Sequence, residues 1–189
     1  MPYLPIDPKD LGRNYEAIIR VNSQSGKGGI AYIMATDYGY DLPRGLQIDF
    51  ARIVQKVADS RGVEILSRDL QEIFVSTYDQ AKDHIVATRD AQENWAIRSK
   101  VNPALTVAAS EKDVVARFIE KLGEISGLSL VLAEHHQQHQ SKGAAVSYVL
   151  IEDKTTRAQA WGVGLADNSL IAELHAVTSA VLRLSPNKQ

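Results

Sequence analysis

The chain has no cysteine, which excludes disulfides, thiolate catalysis and cysteine-ligated zinc or iron–sulfur centres. It has no excess of positive charge. With 21 Lys and Arg against 23 Asp and Glu the net charge is -2, so no global basic field exists to hold nucleic acid or an anionic membrane. No apolar run approaches the roughly 18–20 residues that span a bilayer. Met1–Pro8 lacks the basic and apolar regions of a signal peptide. Its three prolines read as an extended linker, as if the chain began in the middle of something. Catalytic signatures are also missing. There is no Gly-x-Ser-x-Gly elbow and no His-x-His pair with a partnering Asp. Gly26-Lys27 has neither the upstream glycine nor the following Ser or Thr of a P-loop. These absences argue against a self-sufficient enzyme.

What is present is ordinary for a soluble globular protein: 189 residues, 44% hydrophobic and 23% charged. That length allows one large domain or two small ones. Residues 13–22 alternate like a short strand, with Tyr15, Ala17 and Ile19 on one side. The glycines at 26, 28 and 29 predict a loop, followed by a buried strand or helix start at 30–34. Pro43 opens a helix predicted to run to about Ser60, with Leu46, Phe50, Ile53, Val54 and Val57 on one stripe and Arg61-Gly62 ending it. Ser67 is the expected cap of a second helix carrying Leu70, Ile73, Phe74 and Tyr78.

From residue 84 the character changes. Strand-like runs at 84–89, 94–101 and 104–109 precede a helix that Ser110 and Asp113 are expected to cap, with Gly123 and Gly127 closing it. Runs at 128–133, 144–152 and 158–164 precede another, capped by Asp167 or Asn168. The order βββα occurs twice, and each half is too small to bury its own sheet face. The predicted class is α+β: a small helical linker subdomain over residues 1–80, then a duplicated βββα domain over 81–189, which the resemblance described below implies to be a regulatory and dimerisation domain.

Three features are candidate chemistry. His135, His136 and His139 form a polar cluster whose default reading is a solvated loop between strands, with a metal site as the minor alternative. Gly162-Val163-Gly164 reads either as a tight strand–helix turn or as a carboxylate seat at a helix N-terminus. Arg13, Arg20, Lys27 and Arg44 read as a solvated basic face that an acidic substrate is able to contact.

Two stretches carry a resemblance. Tyr3–Gly29, with Leu42-Pro43-Arg44-Gly45-Leu46-Gln47-Ile48-Asp49-Phe50, resembles 2-isopropylmalate synthase just after its catalytic barrel. Trp161–Asn168, with Ala172, Ala176, Ser179, Ala180 and Arg183, looks like the end of that family's leucine-binding regulatory domain; Glu134-His135, Ala145 and Tyr148 match between them. The resemblance implies a cytoplasmic enzyme that condenses acetyl-CoA with 2-oxoisovalerate in leucine biosynthesis. It implies a divalent metal held in a barrel absent from this chain, no cofactor in this part, and feedback inhibition by leucine or a similar small amino acid. The implied partners are that barrel and a second copy in a homodimer, with neither nucleic acid nor membrane.

By the same resemblance Tyr15 is an accessory residue reaching the neighbouring subunit's active site. The implied effector-binding set is Lys112, Asp113, Val115, Leu132, His136, Gly143, Ala145, Gly162, Gly164 and Leu165. The chain departs from the family at the turn before its first regulatory helix, where Ala109, Glu111, Asp113 and Val114 replace a glycine-rich pattern. It departs again at Leu132, where tyrosine is usual, and at His136, where alanine is usual. Three other readings follow: a related condensing enzyme such as citramalate synthase, a free-standing amino-acid-binding module, or a dimerisation domain with a dead pocket.

Overall fold

The computed structural model describes residues 18–19, 26–62, 64–81, 84–110, 112–141 and 143–185. Strand β1 (Ile18–Ile19) pairs antiparallel with β2 (Ile65–Leu66). Between them stand helices α1 (Gly26–Tyr38) and α2 (Arg44–Arg61), and α3 (Ser67–Tyr78) follows. The glycines expected to form a loop instead begin α1. Gly28 and Gly29 meet no neighbour within 4 Å of where a Cβ would stand, so the helix turn carries only glycine's propensity penalty. α2 ends as predicted, with Gly62 in the left-handed conformation at φ 63°. The start of α3 differs from expectation. Asp69 accepts a hydrogen bond from the Leu66 backbone N–H at 2.9 Å, while the Ser67 hydroxyl donates outward to Asp37 at 2.9 Å.

Two antiparallel three-stranded sheets follow, each with its helix. The first is β3 (Ile85–Arg89), β4 (Trp95–Ser99) and β5 (Thr106–Ala109) with α4 (Val114–Ser126). The second is β6 (Leu130–His139), β7 (Ala145–Asp153) and β8 (Gln159–Ala166) with α5 (Ser169–Leu184). The predicted capping pair before α4 is not formed as expected. The Ser110 hydroxyl donates to the Asp113 carboxylate at 2.8 Å instead of accepting from the helix backbone. Asn168 does cap α5, accepting from Leu170 N–H at 2.9 Å and Ile171 N–H at 3.2 Å.

The central strand β7 is buried over its whole length, Ala145 to Asp153. Its two faces belong to two cores. Val149 and Ile151 meet α5, α4 and the first sheet, in a cluster with Ile97, Val107, Phe118 and Leu174. Val146, Tyr148 and Leu150, with Trp161 and Val163 of β8, meet α1–α3 through Met34, Leu46, Phe50 and Phe74. The helical unit and the second sheet thus share one core.

The Gly162–Gly164 segment corrects the sequence reading. Both glycines lie within β8, not in a turn, beneath α5. A Cβ on Gly162 would strike the Ala176 carbonyl oxygen, and would lie 2.5 Å from the Ala180 nitrogen. One on Gly164 would strike the Ala172 carbonyl oxygen. Ala172, Ala176 and Ala180, one turn apart and wholly buried, complete the close approach.

Candidate functional site

β6 holds the residues that matter most, because it is not the loop its polarity predicts. Its pairing with β7 slips by one residue between Leu132 and Glu134, leaving Ala133 as a bulge. The slip reverses the alternation of faces. Leu132 lies opposite Ile151 on the α5 side. Unbroken alternation would bring His136 to that side; the bulge brings His135, Gln137 and His139 there instead. The run pairs with β7 along one edge, and its side chains find partners on both faces.

On the α5 side, a cavity of about 670 Å³ opens between α4, β6 and the start of α5. Val115 and Ile119 form one wall, Leu130 and Leu132 another, and Leu170 the end beside α5. Its titratable lining residues are Lys112, His135 and Glu173. His135 Nδ1 stands 3.6 Å from Glu173 Oε1, and its Nε2 is 3.2 Å from the Ser147 hydroxyl, which is fully buried. Burial pushes the Glu173 carboxyl above its usual range, and the His135 charge offsets that only in part. Gln137 ties the strand to the helix, its amide donating to the Ser169 carbonyl at 3.0 Å. The volume suits a small ligand, and an apolar wall with a few convergent polar groups is the usual composition of such a site.

On its other side β6 grips the turn between α1 and α2. The Gln138 carbonyl accepts from the Asp41 backbone N–H at 2.7 Å and from the Tyr148 hydroxyl at 2.6 Å, while its amide donates to the Gly39 carbonyl at 2.7 Å. Gln140 adds a bond to the Tyr38 carbonyl at 3.2 Å. One strand is therefore the wall of the cavity and the clasp of the helical unit.

Of the effector residues implied by the resemblance, Lys112, Val115 and Leu132 line this cavity. The others lie elsewhere. Asp113 precedes α4, bonded to Ser110. His136 faces the opposite side, 3.3 Å from Glu134. Gly143 sits at φ 87° in the β6–β7 turn, and Ala145 is buried at the start of β7. Leu165 packs on the helical-unit core, while Gly162 and Gly164 are covered by α5. Tyr15, Arg13 and Arg20 lie outside the described residues, and Arg44 is exposed at the start of α2. The sequence reading missed Gln137, Ser169 and Glu173, and placed His135 in the histidine cluster but outside the effector set. No periodicity would have found His135 and Gln137 at this site, because the bulge at Ala133 decides which residues of the strand face α5.

No group of three or more His, Cys, Asp or Glu able to hold a metal occurs among the described residues. No described helix is long and apolar enough to cross a membrane.

The family model described as "Alpha-isopropylmalate synthase, post-catalytic domain-like" matches residues 1–35. A 2-isopropylmalate synthase of Mycobacterium leprae is 39% identical over 197 residues, covering 98% of this chain and 32% of that protein. One from Corynebacterium glutamicum is 39% identical over 196 residues, covering 97% and 31%. One from Rhizobium meliloti is 40% identical over 201 residues, covering 97% and 35%. The chain is similar to these proteins along nearly all of its length and spans about a third of theirs.

Proposed function

We infer that this chain is the post-catalytic, regulatory part of a 2-isopropylmalate synthase, in which an apolar amino acid bound between α4, β6 and α5 controls a catalytic barrel elsewhere in the polypeptide. The parent reaction joins acetyl-CoA to 2-oxoisovalerate in the cytoplasm, and the barrel supplies its divalent metal. This part supplies the effector site and the contacts of a homodimer. The observation that carries the reading is the cavity itself, an apolar recess with charged groups at the junction of the two βββα units.

The chemistry fits leucine or a close analogue. Burying its side chain against Val115, Ile119, Leu130 and Leu132 is worth about 1.5–3 kcal/mol. Lys112 offers a cation for the α-carboxylate. β6 gives the site a route outward, since Gln138 and Gln140 of the same strand hold the α1–α2 turn. The dead-pocket alternative has the open volume against it. Asp113, the substitution that prompted it, is bonded to Ser110 and does not line the cavity.

Thermal unfolding with a panel of amino acids tests the reading. A ligand at 100 times its Kd adds about 2.7 kcal/mol. At roughly 2–4 °C per kcal/mol for this length, that raises Tm by about 5–11 °C. Leucine, or a similar apolar amino acid, should do so where aspartate and lysine do not. A Tm unmoved by every apolar amino acid would overturn the effector site. Light scattering after size exclusion checks the dimer, and a monomer at micromolar concentration would remove that part of the reading.

A further inference from the structure

We propose that Glu173 selects the effector by its ammonium group, and that His135 stands in for that ammonium when the site is empty. The proposal rests on the effector-site reading above and adds which groups recognise the ligand and how pH controls the event.

Glu173 projects from the second turn of α5 into the cavity wall, with only 13% of its side chain exposed. A carboxylate so placed needs a cationic partner. The groups around it are few. β6 presents His135, with His139 farther along beside the Ser169 hydroxyl at 3.4 Å. The segment before α4 presents Lys112, exposed at the cavity rim. β7 presents the uncharged Ser147, and β8 presents Gly164. On α5 itself His175 is buried with its Cβ toward Gly164. His135 at 3.6 Å is the basic side chain in direct reach, and its other ring nitrogen is held by Ser147. An α-ammonium entering with its side chain on the apolar wall competes for the same carboxylate. Since a protonated imidazole and an ammonium cannot both sit on one carboxylate without repulsion, binding expels the imidazole's proton.

As pH rises Glu173 becomes ionised, and that favours an added ammonium. Ionised Glu173 in the empty site is a burden, because burial favours its neutral form. The ligand relieves that burden, and an apolar acid without an amino group cannot.

The experiment is calorimetry with L-leucine from pH 5.5 to 8, in buffers of different ionisation heat. 4-Methylpentanoate, leucine without its amino group, is the second probe. Leucine affinity should rise at least about threefold between pH 5.5 and 8, with net proton release, and 4-methylpentanoate should bind at least about tenfold more weakly at pH 8. Glu173→Gln should weaken leucine about tenfold or more and flatten the profile, while His135→Gln should keep leucine affinity at pH 8. Wild-type leucine binding that is independent of pH and matched by 4-methylpentanoate would refute the role of Glu173 while leaving the effector site standing. Absence of binding by both probes would overturn the effector-site reading, and this proposal with it. Both results come from wild-type protein and do not depend on any variant folding.

Discussion

A methyl group added at Gly162 should be among the most damaging single-atom changes in this chain. The new Cβ would stand 2.5 Å from the Ala180 nitrogen and 2.9 Å from the Ala180 Cβ, besides its collision with the Ala176 carbonyl. Two of these are backbone atoms of a buried helix and the third is an alanine Cβ, so no side chain can rotate away. α5 has to lift from β8 by about 1 Å, which forfeits a quarter to a half of each dispersion contact beneath it. Overpacking of this kind costs about 1–3 kcal/mol, and more where backbone must move. Replacing a strand glycine returns only about 0.5–1 kcal/mol of chain entropy. Gly162→Ala should therefore lower stability by at least about 2 kcal/mol in urea, and Tm by roughly 4–8 °C. Gly28→Ala is the control. It lies within α1 with open space around it, so it should stabilise by about 0.4–1 kcal/mol. If Gly162→Ala unfolds within 1 °C of the wild type, α5 does not lie where the argument needs it. A ligand-binding turn at this segment would give the reverse pattern, intact stability with lost binding.

Other expectations follow from the contacts between the helical unit and the second sheet. Burial alone would raise the Asp49 carboxyl, but hydrogen bonds from Tyr78 and Arg52, with the charge of Arg183, hold it below the usual range. Its contribution is present above about pH 4 and is lost as pH falls through the depressed value. Asp49→Asn should cost about 1.5–3 kcal/mol at pH 7 and much less near pH 2, read by urea unfolding at both. Ser179→Ala leaves the backbone N–H groups of Gln80 and Ala81 without the hydroxyl they share at 3.1 Å, which should cost about 1–3 kcal/mol. An unchanged midpoint would mean that water replaces the hydroxyl. Gln138→Ala strips partners from Asp41 N–H, Gly39 C=O and the buried Tyr148 hydroxyl, and amide exchange at Asp41 should accelerate without global unfolding.

The duplicated βββα order is legible because the strands of the first sheet alternate and the helix of each unit carries an apolar stripe. Two failures have physical causes. The run Glu134–Gln140 looked like a loop because both faces of that strand are polar. Its faces are matched to specific partners, Ser169 and Glu173 on one side and Asp41, Gly39 and Tyr148 on the other, which no periodicity reports. The bulge at Ala133 then exchanged His135 for His136, and a one-residue slip leaves no mark in composition. Gly162 and Gly164 were assigned to a turn because two neighbouring glycines suggest one. The contrary signal was present in Ala172, Ala176 and Ala180, whose helical spacing offers a smooth surface for glycines to approach.

The two-sided burial of β7 bears on how the molecule comes apart. Val149 and Ile151 report to one core, and Val146, Tyr148 and Leu150 to the other. Neither core can melt without exposing one face of this strand to water. The point near residue 80, where composition changes, is thus a boundary along the chain and not one of cooperativity. Cutting there would uncover Tyr148, Leu150, Trp161 and Val163 together, a sticky surface that invites aggregation during folding. The amide protons of β7 should be the last in the protein to exchange, and their rate should measure the stability of the whole rather than of either half.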